Sequence, residues 1–279
     1  MTATAMPSTF SPDVQQALEC IGREKAGILP PYLTRAELDE LLEAWWRLWN
    51  DKSIENANRR FIVDHKLYRE PAFAKLATHP VVQEAVRRVI GDFQLAGYSV
   101  VATPRNGDHP TQPRDVPFHV DHCVYSDVPV DQARDTFVCV WVNFEELKIE
   151  NGPFAIAVGT DKWNIGWEFL KDGKRPGLTV KDLGFDRYAT FNVGPAGTTA
   201  VYSGKTWHSG TVNASEQVRK GLNMNFVPRR PLDSLRRNPF DVCALPEQTY
   251  RDLEQLIGIG DYMIARDPRM EGQKPTVMM

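Results

Sequence analysis

The chain lacks the features that would take it to a nucleic acid, a membrane or an oxidising compartment. Its 33 Lys and Arg are outnumbered by 36 Asp and Glu, for a net charge of -3, so there is no basic footprint for nucleic acid. No apolar run approaches the ~20 residues of a membrane span. Met1 to Phe10 has neither a charged n-region nor an apolar stretch, which reads as a loose tail and not a signal peptide. Cysteine is scarce: Cys20, Cys123, Cys139 and Cys243 contain no C-x-x-C pair. That spacing excludes a zinc knuckle or a dithiol redox motif and fits reduced thiols in a cytoplasmic protein. Repeats and low-complexity linkers are also missing, so 279 residues are expected to form one domain.

What is present is ordinary for a soluble enzyme: 42% hydrophobic and 25% charged residues, with seven Trp and thirteen Phe for core and pocket. Residues 1–93 read as helical. Thr34-x-x-Glu37 is a capping-box signature. It opens a run from Ala36 to Asn50 whose Leu38, Leu41, Leu42, Trp45 and Trp49 repeat at helical spacing. His79-Pro80 starts a second helix that ends at Gly91. Residues 94–230 then change to strand texture: Gln94 to Thr103, Thr136 to Phe144, Phe154 to Val158, Gly197 to Ser203 and Gly221 to Val227. Residues 162–193 form an insert, read as a short helix and a Gly-rich loop. The tail 231–279 is expected to be helical over Pro246 to Ala265. Helices, then many short strands, then a helix imply a mainly β fold with flanking helices around a double-stranded β-helix, a cupin-like jelly roll.

The chemistry rests on His119-x-Asp121, a distant His208, and Arg219. On a strand, residues two apart share a face, so His119 and Asp121 can bind one metal while His208 arrives from another strand. Two imidazoles and a carboxylate leave three coordination positions open, the arrangement of non-haem Fe(II) oxygenases. Arg219 lies eleven residues after His208, and its planar fork suits a carboxylate. Together they suggest a 2-oxoglutarate-dependent oxygenase. His122 competes as a ligand, but on a strand it would face away from His119 and Asp121. His65, His79 and His109 lack metal-ligand spacing. Trp141 in a buried strand reads as core, and Trp207 as either packing or pocket mouth.

With these residues in hand, the sequence from Leu29 to Pro228 resembles the phytanoyl-CoA dioxygenase family. The likeness runs through Pro30-Pro31-Tyr32-Leu33-Thr34, the His79-Pro80 helix ending in Ile90-Gly91, His119-x-Asp121 and Val138-Cys139-Val140-Trp141. It continues through Glu150-Asn151-Gly152-Pro153 with Val158-Gly159-Thr160, then His208, Asn213 and Arg219. The resemblance implies that His119, Asp121 and His208 hold Fe(II) and that Arg219 binds the distal carboxylate of 2-oxoglutarate. It puts Trp141 beside the co-substrate and has Thr211 add a hydroxyl hydrogen bond. Dioxygen and a small organic substrate complete the expected reaction, with hydroxylation as the default. Desaturation, epoxidation or rearrangement use the same chemistry. The retained Asp121 argues against halogenation. Thr160-Asp161 departs from the family's Ser-His, and the insert has no family pattern; both bear on the substrate. The insert, with the Pro246–Ala265 helix, is expected to form a substrate lid. A homodimer is compatible with the sequence. The rival readings are a non-catalytic jelly-roll binding protein and a cupin-type isomerase or hydrolase using zinc or manganese.

Overall fold

The computed structural model describes residues 10–51, 61–62, 70–103, 105, 118, 120, 138–162, 184 and 187–228. His119, Asp121, His65, His109, His122, Cys123, Cys243, most of the 162–193 insert and the tail 231–279 lie outside the described residues.

Two antiparallel sheets form the core of the jelly roll. The larger contains β1 (Ala26–Leu29), β2 (Phe61–Ile62), β3 (Phe93–Thr103), β4 (Val138–Asn143), β7 (Thr199–Ser203) and β9 (Arg219–Pro228), in the order β1-β7-β4-β9-β3-β2. The smaller contains β5 (Phe154–Ala157), β6 (Ala189–Phe191) and β8 (His208–Gly210), in the order β6-β5-β8. The end of the expected insert is therefore a strand: β6 pairs with β5 through Ala155–Phe191, Ile156–Thr190 and Ala157–Ala189. Sheet membership of so short a segment depends on a distant partner, not on its own pattern.

Strand alternation gives the large sheet two different faces. Val100, Ala102, Val138, Val140, Val142, Val201, Leu222, Met224 and Phe226 point outward into one apolar core with the helices. Those helices are α1 (Pro12–Glu24), α2 (Arg35–Asn50), α3 (Pro71–Ala77) and α4 (Pro80–Ile90). Burying each such side chain contributes about 1.5–3 kcal/mol relative to exposure, which fixes the sheet against the helical layer. Val101, Cys139, Trp141, Ala200 and Tyr202 point the other way, into a second cluster with Phe154 and Ile156 of the small sheet. The space between the sheets is where the site residues gather.

The helices start where their sequences direct. The Thr34 hydroxyl accepts from Glu37 N while the Glu37 carboxylate accepts from Thr34 N, so the capping box is complete. In α1, Ser11 caps the helix, Pro12 opens it, and Val14, Leu18 and Ile21 form its buried stripe. His79 is a structural cap: its Nδ1 accepts from Val81 N at 3.2 Å and its ring lies 4.9 Å from that of Tyr32. Among the described residues, no helix is long and apolar enough to cross a membrane.

Candidate active site

His208 opens β8. Opposite it on β5 stands Ile156, a member of the inter-sheet cluster, so the imidazole also faces inward. It is buried, 2% exposed. Its ring centroid lies 4.5 Å from that of Tyr202 and 5.2 Å from that of Phe154. The Nδ1 atom is 2.9 Å from the Thr206 carbonyl oxygen. A carbonyl only accepts, so Nδ1 donates and a metal bond would fall to Nε2. That is the tautomer a metal-binding imidazole needs, with its second nitrogen orienting the ring. The strand entry is pinned on both sides: Trp207 N donates to Thr160 Oγ1 at 3.0 Å, and Ala157 N donates to the Trp207 carbonyl at 2.8 Å. Thr160, one of the two departures from the family pattern, thus has a structural role. Trp207 is fully buried, so it packs and does not line a mouth.

Arg219 opens β9 directly opposite Thr103 of β3. The residue is buried, 1% exposed. Nη2 donates to Thr103 Oγ1 at 3.0 Å, Nη1 donates to the Gly152 carbonyl, and the guanidinium carbon lies 5.1 Å from the centre of the Trp141 ring. Trp141 in turn stacks on Phe154 at 5.0 Å, and Phe154 on Tyr202 at 5.2 Å. A continuous aromatic stack therefore runs from the guanidinium to the His208 imidazole. Its members come from β4, β5 and β7, so both sheets fix the spacing. The stack is apolar and the Arg219 fork is rigidly held, a setting in which charge-assisted pairing with a carboxylate is strong.

The Glu150-Asn151-Gly152-Pro153 turn exists in this form to reach Arg219. Ala214 N and Ser215 N donate to the Glu150 carbonyl at 2.8 and 3.0 Å, and Asn151 Nδ2 donates to Ser215 Oγ at 2.9 Å. Gly152 has a φ of +68°, and a Cβ there would stand 2.5 Å from Asn213 N. Only glycine fits, and its carbonyl is the one that accepts from Arg219. The Thr211 hydroxyl, expected near the co-substrate, donates to the Pro153 carbonyl at 2.6 Å and so ties down the same turn. Asn213 Nδ2 donates to the Thr103 and Gln217 carbonyls at 2.8 and 2.7 Å, closing the loop before Arg219.

Of the sequence-predicted set, the structure brings together His208, Arg219 and Trp141, with Thr211 one turn away. His119 and Asp121 lie outside the described residues; their neighbour Val120 is buried and Phe118 half-buried. Among the described residues no three His, Cys, Asp or Glu side chains converge on a common metal position. Sequence reasoning missed Thr103, Phe154 and Tyr202. Strand alternation could have placed Phe154 and Tyr202 inward, but the Thr103–Arg219 pairing spans 116 residues and no local signal carries it.

Comparison with known proteins agrees with this architecture. No curated protein matches the sequence. Solved structures do match in fold. The non-haem alpha ketoglutarate dependent epimerase SnoN from nogalamycin biosynthesis superposes with a TM-score of 0.60 at 16% identity, covering 78% of this chain and 85% of its own. EctD from S. alaskensis with bound Fe gives 0.62 at 16% identity, covering 85% and 87%. HygX from Streptomyces hygroscopicus, with nickel and 2-oxoglutarate bound, gives 0.58 at 15% identity, covering 77% and 87%. The model of the phytanoyl-CoA dioxygenase family matches residues 31–221, well over half of the chain, and that span contains His208, Arg219, Trp141 and the glycine turn. The protein therefore belongs to the phytanoyl-CoA dioxygenase (PhyH) family and is an oxygenase-type enzyme.

Proposed function

We propose that the protein is an Fe(II)- and 2-oxoglutarate-dependent dioxygenase that oxidises a small organic molecule, with hydroxylation as its default outcome. The observation that carries this reading is the aromatic stack between Arg219 and His208. It holds the Arg219 guanidinium and the His208 imidazole at a fixed separation between the two sheets, which supports a carboxylate at one end and a metal at the other. In this reading His208 Nε2 ligates iron, and His119 and Asp121 complete the ligand set as the sequence pattern implies. Arg219 binds the 5-carboxylate of 2-oxoglutarate. When bound, iron and 2-oxoglutarate supply the activation of dioxygen that oxidises the substrate, with succinate and carbon dioxide as co-products.

The chain's own residues contribute orientation and exclusion of water. The Thr206 carbonyl holds the Nδ1 proton of His208 and keeps the ring in its ligating tautomer. The Gly152 carbonyl and Thr103 hydroxyl aim the Arg219 fork. Trp141, Phe154 and Tyr202 shield the space between, where a low local dielectric strengthens the charge pairing. Two solved neighbours have epimerase or carbocyclase activity, and a site of this kind can direct the same oxidant to different outcomes. The substrate-side residues decide which.

The test is succinate release with Fe(II) and 2-oxoglutarate over a panel of small-molecule classes, on protein purified without oxygen. His208→Ala, His119→Ala and Asp121→Ala should each abolish Fe(II)-dependent turnover, while His122→Ala stays active. Arg219→Leu should raise the KM for 2-oxoglutarate at least about tenfold, roughly 1.4 kcal/mol. Full activity in His208→Ala would overturn the assignment.

A further inference from the structure

The inner face of the large sheet carries polar groups that the Arg219 arrangement does not use. Asn223 and Asn225 follow Arg219 and Gly221 in the alternation of β9, and Ser99 of β3 stands directly opposite Asn223. Ser99 is 0% exposed and Asn225 1%. Asn223 Oδ1 accepts from the Cys139 thiol. The Ser99 hydroxyl and the Asn225 amide nitrogen have no hydrogen-bond partner among the described residues. Both can donate. Buried donors are nearly always paired, because burial removes their water and an unpaired donor recovers nothing in return. Two such exceptions on one strand pair and one face mark a place that a ligand completes.

Their position fits a substrate. Asn225 pairs with Cys139, and Cys139 with Tyr202, whose ring carries the His208 imidazole. Asn225 therefore shares a transverse row with Tyr202, two strands across, or about 10 Å, and Ser99 is its diagonal neighbour on β3, one row nearer Arg219 beside Asn223 and Trp141. Arg219 begins β9 six residues before Asn225, about 20 Å along the strand. One end of the face holds a cation for the co-substrate; the other holds neutral donors. Their neighbours on β3, β4 and β9, namely Val101, Cys139 and Asn223, carry no charge. Neutral donors among apolar and aromatic walls suit an uncharged oxygen better than an anion.

We propose that Ser99 and Asn225 form a subsite for a neutral carbonyl or hydroxyl oxygen on an otherwise largely apolar substrate. This rests on the oxygenase reading above and names its substrate class. The subsite holds the substrate by an oxygen distinct from the position that is oxidised.

The test compares the full chain with Ser99→Ala and Asn225→Leu. Each protein is loaded with 2-oxoglutarate and Zn(II), a redox-silent stand-in for iron. Cyclohexanone and cyclohexanol are the probes, with cyclohexane as the oxygen-free counterpart, and binding is read by ligand-observed NMR. The wild type should prefer the oxygenated probes, and each variant should lose about tenfold of that preference, the effect of one hydrogen bond. Thermal midpoints should stay level or rise, since an unpaired buried donor has been removed. Absence of preference in the wild type, its retention in both variants, or a lowered midpoint would overturn the subsite. The visible absorption of the Fe(II)–2-oxoglutarate complex is measured in parallel. Its absence from the wild type defeats the oxygenase reading; its presence with unselective probe binding defeats only the subsite.

Discussion

Thr103→Val removes one oxygen from the site and leaves the strand intact. The Thr103 hydroxyl accepts from Arg219 Nη2 at 3.0 Å in a position only 5% exposed. Valine keeps the β-branch and the stiff χ1 that suit β3. The Thr103 backbone carbonyl still accepts from Asn213, so the loop before β9 keeps its anchor. A hydrogen bond with a charged partner contributes about 1.5–3 kcal/mol. Among the described residues, the Gly152 carbonyl and the Trp141 face still restrain the guanidinium. The loss should therefore fall at the bottom of that range, about 1.5 kcal/mol, or roughly tenfold weaker 2-oxoglutarate binding. The assay is an anaerobic titration of the Fe(II)-loaded protein with 2-oxoglutarate, followed by its visible absorption, beside a thermal melt. Thr103→Ser keeps the oxygen and should bind like the wild type. Unchanged affinity in Thr103→Val, or a serine variant as weak as the valine one, would refute the idea that this hydroxyl aims Arg219.

Gly152→Ala places a Cβ 2.5 Å from Asn213 N at a φ of +68°. The backbone cost alone is about 1–2 kcal/mol, so the melting midpoint should drop by about 4 °C or more and 2-oxoglutarate binding should weaken as the carbonyl moves; an unaltered midpoint would show that the turn can relax. Burial holds the His79 imidazole below its ordinary pKa, so the folded state favours the neutral ring. The stability this contributes is complete above the unfolded value of about 6.5 and is lost as pH falls through it towards the lower folded value. His79→Asn keeps an N-cap oxygen without titrating, and should flatten the dependence of the melting midpoint on pH between about 7.5 and 5.5; an equally steep variant would place the titration elsewhere.

Much of the fold was legible because its signals are local. The capping box at Thr34, the His79-Pro80 start and the apolar run before Phe144 each declare themselves within a few residues. α1 had equally local signals in Ser11-Pro12 and the Val14, Leu18, Ile21 stripe. β1 and β6 did not: four and three residues long, they are strands only because β7 and β5 lie beside them. The site divides in the same way. His208 and Arg219 stood out by residue type and spacing, and Trp141 by resemblance. His208 is oriented from two residues away by Thr206, but the partners that orient Arg219 are 67 residues away at Gly152 and 116 at Thr103, and spacing along the chain holds no record of such contacts.

β9 joins these two kinds of information. Its odd-numbered residues Arg219, Gly221, Asn223 and Asn225 face the space between the sheets, while Leu222, Met224 and Phe226 enter the helix-backed core. Lys220 follows the outer set, with its ammonium over the Trp45 and Trp46 rings and bonded to Glu145. A slip of one residue would exchange the faces, driving the guanidinium into the apolar core and leucine into the site. The apolar residues oppose that slip from one side. Arg219 opposes it from the other, since it is tied to Thr103 directly across the ladder and to Gly152 from outside the sheet. The one irregularity in the β3–β9 pairing, between Leu95 and Gly97, falls at the far end, next to Asn225. Register is thus held tightest where the co-substrate's charge must be met, and it gives only beyond the row that faces the substrate. Changes near the bulge should accordingly alter substrate preference more readily than co-substrate binding, which a comparison of KM values for substrate and 2-oxoglutarate in Gly97→Ala would reveal; equal effects on both would mean that the bulge and the clamp move as one.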